Sequence, residues 1–176
     1  MNAAVDMTET DIRNALVKTG RVPEGDPDGV AAVIARLASG EITMREAQGI
    51  PTAEVEAAYA RGFGRFQAGR YEEAEKIFGY LCLLDQNVAK YWSALGACRF
   101  NLGAYAPAVV AYGMASNADP DDPKPHFRAA EAFLKSGETE LAARALQASI
   151  DVAGSHAQHA GLKAKAHGLL DVITDS

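Results

Sequence analysis

The chain has 176 residues, 48% of them hydrophobic, and a formal charge of −6 from 17 basic and 23 acidic side chains. That apolar fraction suffices for a real core in one compact unit, and the anionic balance argues against a nucleic-acid partner, whose phosphates call for a basic surface. No apolar run approaches the roughly 20 residues that cross a bilayer, and the opening MNAAVDMTETDIR lacks the basic-then-apolar layout of a secretory leader, so a cytoplasmic protein with no membrane partner is expected.

The first candidate helix, TETDIRNALVKTG at residues 8–20, is short, capped and weakly apolar. Next, GDPDGVAAVIARLASGEITM carries Val30, Val33, Ile34 and Leu37 at i, i+3, i+4 and i+7, a single apolar stripe on a short helix. A stripe that short must pack on something. In QGIPTAEVEAAY, Gly49 and Pro51 break the chain, Thr52 is placed to cap the following helix, and Glu54 and Glu56 suit its N-terminal dipole.

Slid against itself, the sequence matches best at an offset of 34, the period of the tetratricopeptide repeat, in ungapped windows 55–88, 89–122 and 123–156. The eighth position is Gly62, Gly96 and Ala130; the fifteenth is Gly69, Gly103 and Gly137; the twentieth is Ala74, Ala108 and Ala142; the twenty-fourth is Phe78, Tyr112 and Leu146. Small residues at eight and twenty let two antiparallel helices approach, and the bulky side chain at twenty-four fills the space beyond. The glycine at fifteen supplies the positive φ that ends the first helix of each hairpin. Pro107 falls in the first turn of a second helix and Pro120 stops that helix. No charge lies between Arg99 and Asp119, which predicts helix faces buried against neighbouring hairpins. The match is imperfect at position four, where Trp92 corresponds to Ala58 and His126, and at position seven, where Leu95 corresponds to Arg61 and Ala129. Arg61 is expected to lay its stem along the core or to meet a neighbour outside the repeats.

After the repeats, SHAQHAGLKAKAHGLLDVITDS spaces Leu162, Ala166, Leu169, Leu170 and Ile173 near helical period, as a capping helix requires. The expected architecture is all-α: three helix hairpins of the tetratricopeptide type in a right-handed superhelix over residues 52–154, N-terminal helices within 1–51, and a C-terminal capping helix over 155–176.

Chemistry is hard to find. His156, His159 and His167 are the only cluster that invites a metal, and no cysteine or nearby carboxylate completes a tetrahedral set. GFGRFQAG follows no strand, so it is not a nucleotide loop, and Gly62 and Gly69 already have packing and turn roles. Cys82 and Cys98 are the only cysteines, each inside a helical apolar pattern, and read as reduced, buried side chains. No catalytic, metal or cofactor site is expected, and no small-molecule substrate.

The first helices of stacked hairpins line a concave groove, with positions two, five, nine and twelve facing a ligand. The first repeat supplies Glu56, Tyr59, Phe63 and Phe66, three of them aromatic at i, i+4 and i+7. The second supplies Lys90, Ser93, Ala97 and Phe100, and the third Lys124, Phe127, Glu131 and Leu134. Such a groove suits an extended peptide with Pro, Leu or Val side chains; the competing expectation is that the rings pack on the chain's own N-terminal helix. Carboxylate-clamp repeats need Lys and Asn where this chain has Tyr59 and Phe63, although Lys124 and Arg128 match the clamp's later cations.

The run GRYEEAEKIFGYLCLLDQNVAKYWSALGACRF, with the preceding GIPTAEVEAAYARGF and the later HFRAAEAFLKSGETELA, resembles the class II chaperones of bacterial type III secretion over about residues 28–153. The resemblance implies a cytosolic, non-enzymatic chaperone that keeps two hydrophobic translocators soluble before export. It further implies a segment of the Pro-x-Leu-x-x-Pro kind held in the groove, and an aromatic pocket at Tyr59, Phe63 and Phe66. Family dimers pair through N-terminal helices, which places a homodimer interface on Val30, Val33, Ile34 and Leu37. Some relatives also assist a transcription activator of the AraC type. Arg61 departs from the family's apolar preference. No cofactor or ATP is implied. The competing function is a repeat adaptor that joins two soluble proteins or co-activates a transcription regulator.

Overall fold

The computed structural model describes residue 14 and residues 27–175, so the candidate helix at 8–20 lies, apart from Asn14, outside the described residues. Helices follow at Pro27–Ala38 (α1), Met44–Gln48 (α2), Thr52–Gln67 (α3), Tyr71–Leu84 (α4), Ala89–Asn101 (α5), Tyr105–Ala118 (α6), Lys124–Ser136 (α7), Thr139–Ala153 (α8) and Ala160–Thr174 (α9), with a 3-10 turn at Ala157–His159. There is no strand among the described residues. Packing divides them into two units: residues up to Glu56 with Leu83–Asp85, and Ala57–Cys82 with Gln86 onward.

In the first unit the stripe on α1 finds its cover. Ala47 of α2 is buried, and Val33, Ile34 and Leu37 pack on it with Ile42; the Val30 side chain lies outside the described residues. α2 has only five residues, so its ends must be fastened. The Thr43 hydroxyl accepts the Glu46 N–H at 3.2 Å while the Glu46 carboxylate accepts the Thr43 N–H at 2.8 Å, a reciprocal cap. Those bonds, the backbone one foremost, hold the Glu46 carboxyl below its ordinary pKa. Gly49, at φ 65°, closes the other end. Thr52 opens α3 rather than capping it, because the Pro51 carbonyl takes the N–H groups of Glu54 and Val55.

In the second unit the repeat positions explain themselves. Gly69, Gly103 and Gly137 have φ of 71°, 74° and 82°, the left-handed region where a β-carbon is costly. Each closes its helix with the same pair of bonds: Gly69 to Phe66 and Arg70 to Arg65, Gly103 to Phe100 and Ala104 to Arg99, Gly137 to Leu134 and Glu138 to Phe133. Position eight meets position twenty-four directly. A β-carbon on Gly62 would lie 2.9 Å from the Phe78 ring, and one on Gly96 would lie 2.6 Å from Tyr112. The third repeat keeps a methyl at Ala130 and opposes it with the narrower Leu146 in one cluster. Ala74, Ala108 and Ala142 have no exposed surface at all.

Side chains stitch successive hairpins together. Arg99 on α5 donates from Nε to Glu75 on α4 at 3.0 Å and from Nη1 to the Pro107 carbonyl on α6 at 3.2 Å. The only tryptophan, Trp92, donates to the Gln86 carbonyl at 2.8 Å and pins the turn before α5. Ser149 is wholly buried, and its hydroxyl reaches the Pro123 carbonyl at 2.9 Å, so the burial leaves no polar group unpaired. At the far end Ala166 of α9 is buried with Ala130, Leu146 and Ile150, and Leu169, Leu170 and Ile173 pack around them. Arg61 is exposed. The uncharged run is buried on one face only: Ala108, Ala111, Tyr112 and Ala115 of α6 are covered, whereas Val110 is 63% exposed. Its outer residues are mostly small, so leaving them in water sacrifices little apolar burial.

Candidate functional site

Tyr59, Phe63 and Phe66 project from one face of α3, as their spacing of four and three dictates. They line a cavity of about 410 Å³ within the second unit. Tyr59 is fixed by two rings, Phe78 at 5.5 Å and Tyr91 at 5.8 Å between centroids, and Phe66 meets Tyr71 edge-on at 5.3 Å. Phe63 remains 46% exposed. The open ring beside two anchored ones leaves apolar surface facing water at the cavity.

The floor is low where α5 passes. Ala89, Ser93, Ala94 and Ala97 contribute small side chains, with the Tyr112 ring reaching in from α6. The Lys90 ammonium stands 4.8 Å from the centre of the Tyr59 ring, within cation–π range. The remaining wall is polar: Asp119, Asp122, Lys124 and Arg128, with Pro125 among them. Asp122 Oδ1 accepts the Lys124 N–H at 3.0 Å, and Arg128 Nη1 meets Glu131 Oε2 at 2.7 Å. Burial pushes the Tyr112 hydroxyl up to about 12, against the lowering influence of Arg128, so it stays a neutral donor.

Seven residues expected in the groove line this cavity together: Tyr59, Phe63, Phe66, Lys90, Ser93, Ala97 and Lys124. Five others are placed elsewhere, Glu56 being exposed and part of the first unit. Phe100 packs with Phe133 on the Ala108, Tyr112 and Ala129 cluster and lies edge-on to Tyr105 at 5.6 Å. Phe127 is drawn to the cluster that α9 completes. Glu131 turns to Arg128, and Leu134 is half-buried away from the cavity wall. Phe78 and Tyr112 also line the cavity, although position twenty-four predicts packing for both. The signal was present: a glycine at position eight leaves the facing ring uncovered by a β-carbon, and that ring then reaches the cavity. Arg128 was visible as one of the clamp's later cations, but Tyr59 and Phe63 replace the clamp's other groups with apolar surface.

Nothing else in the second unit rivals this site chemically. Cys82 and Cys98 are buried free thiols, and burial pushes both up to about 12 despite the nearby Arg99, which removes the thiolate a nucleophile needs. Among the described residues no group of three or more His, Cys, Asp or Glu is placed to hold a metal ion. His156 and His159 simply meet edge-on at 6.2 Å.

No family model matches the chain. It is 31% identical over 119 residues to the low calcium response locus protein H of Yersinia pestis, an alignment covering 68% of this chain and 71% of that protein. The fold is that of the Yersinia enterocolitica type III secretion translocator chaperone SycD, with a TM-score of 0.70, 29% identity, and coverage of 74% of this chain and 98% of that one. It is also that of Pseudomonas aeruginosa PcrH solved with the chaperone-binding region of PopD, with a TM-score of 0.69, 35% identity, and coverage of 72% and 96%. With the repeat hairpins, the open aromatic cavity and these likenesses in place, the chain belongs to the class II translocator chaperones of type III secretion.

Proposed function

We propose that this protein is a cytoplasmic, non-enzymatic chaperone that binds hydrophobic translocators of a type III secretion system and keeps them soluble before export. A translocator exposes long apolar segments that aggregate or enter the wrong membrane, and covering them before export suppresses both. An extended segment of the cargo lies in the groove, its apolar side chains against Tyr59, Phe63 and Phe66 and its backbone over the small residues of α5. The observation that carries this reading is the half-exposed Phe63 ring beside two rings held by aromatic contacts, in a cavity whose floor is built from alanine and serine. PcrH, similar across most of its length, was solved with the chaperone-binding region of such a partner. The protein forms homodimers through the part of the α1 stripe that Ala47 leaves uncovered, with Val33, Ile34 and Leu37 half-buried on their own chain. Among the described residues no helix is long and apolar enough to cross a membrane.

The test is co-expression with a translocator encoded in the same genome. The wild-type chain should hold that translocator in the soluble fraction as a complex; Phe63→Ala with Phe66→Ala should release it to the pellet while helical circular dichroism is unchanged. Phe63→Ala alone, which removes a ring already half in water, guards against a folding defect. A translocator that stays insoluble beside the wild-type chain, or a soluble complex indifferent to both variants, overturns the reading.

A further inference from the structure

The groove runs against the charge of the chain. The protein carries −6, yet the cavity wall holds three cations, Lys90, Lys124 and Arg128, against the two carboxylates Asp119 and Asp122. Asp122 Oδ1 accepts the Lys124 backbone N–H at 3.0 Å, which fixes that carboxylate at the start of α7. Lys124 and Arg128 are four residues apart on α7 and so share a face. Among the described residues the Lys124 ammonium has no ion-pair partner, and the Arg128 side chain, 60% exposed, is paired only with Glu131 at 2.7 Å.

We propose that the groove reads an acidic side chain in the bound segment, received by Lys124 and Arg128, in register with an apolar residue seated among Tyr59, Phe63 and Phe66. This deepens the peptide-binding reading and rests on it. The rings select apolar cargo without distinguishing one apolar segment from another. A charged contact at a set distance along the strand fixes direction and register, which is what electrostatic complementarity contributes beyond raw affinity. Glu131 is the intramolecular stand-in: it holds the guanidinium until the ligand carboxylate arrives and then yields it.

The probe is a library of random twelve-residue peptides displayed as internal fusions and selected on the full-length protein. The wild-type selection should enrich Asp or Glu at a fixed spacing from an apolar residue, and selection on Lys124→Gln with Arg128→Gln should keep the apolar residue and lose the acid. An amidated synthetic peptide of the enriched sequence then tests the contact without altering the protein. Its Glu→Gln version should bind wild type about two- to fivefold more weakly and bind the double variant no differently. Glu131→Gln should tighten the acidic peptide, an outcome a merely structural role for Glu131 does not produce. An enriched motif with no acid, a basic residue at that place, or equal binding by a Glu-free peptide with a free C-terminal carboxylate overturns the proposal while leaving the groove reading intact. Selection that is indifferent to Phe63→Ala overturns the groove reading itself, and this proposal with it.

Discussion

Gly96 and Tyr112 are matched as a lock is to a tongue: a β-carbon on Gly96 would fall 2.6 Å from the Tyr112 ring, closer than carbon atoms approach without displacement. Gly96→Ala should therefore destabilise by about 1–3 kcal/mol, the usual consequence of overpacking a filled core. The third repeat shows the alternative solution, Ala130 with Leu146 in one buried cluster. Adding Tyr112→Leu to Gly96→Ala should recover part of the loss, read as non-additivity in a double-mutant cycle of denaturation midpoints. Strict additivity would mean the two positions do not meet.

Two glycines five residues apart should respond to the same substitution with opposite signs. Gly64 lies inside α3, where an added β-carbon would meet nothing within 4 Å, and its φ is not positive. Gly64→Ala should stabilise by about 0.5–1 kcal/mol, since glycine in a helix gives up more chain entropy on folding. Gly69 also has open space, but its φ is 71°, and Gly69→Ala should cost about 1–2 kcal/mol through the left-handed backbone. Thermal melting of the two variants decides this, and a fall in Tm for Gly64→Ala contradicts it.

The buried thiols give stability an alkaline edge. Burial raises Cys82 and Cys98 from an ordinary 9.0 to about 12, with Glu75 adding to the rise at Cys98 and Arg99 opposing it at both. Above pH 9 the unfolded chain releases these protons while the folded chain keeps them, so stability is whole below that pH and drains away as pH climbs toward 12. Replacing both cysteines with alanine should flatten the fall in urea midpoint between pH 9 and 11, whatever the change at pH 7. An unaltered slope would show that other groups govern the alkaline limit.

Much of the fold could be read along the chain because the relevant forces are local and periodic. Glycine is required where φ is positive, so Gly69, Gly103 and Gly137 mark three helix ends. Small residues recur where helices touch, and Ala74, Ala108 and Ala142 are fully buried accordingly. The α3 rings were legible for the same reason, since i, i+4 and i+7 share a face on any helix. The spacing could not say which faces of later helices stay open. Phe100 and Phe127 occupy positions equivalent to those of Phe66 and Tyr59, which line the cavity, yet each joins a core cluster.

By itself, then, the sequence determined a 34-residue hairpin unit, its turns, its close contacts and one aromatic face, because backbone sterics and helical periodicity act within a few residues. Only tertiary packing decided that Phe78 and Tyr112 reach the cavity through the room left by Gly62 and Gly96, that α9 claims Phe127 for the core, and that Arg99 on α5 pairs with Glu75 on α4. Those outcomes depend on which neighbour arrives at a surface, and burial and charge pairing between helices are set in three dimensions.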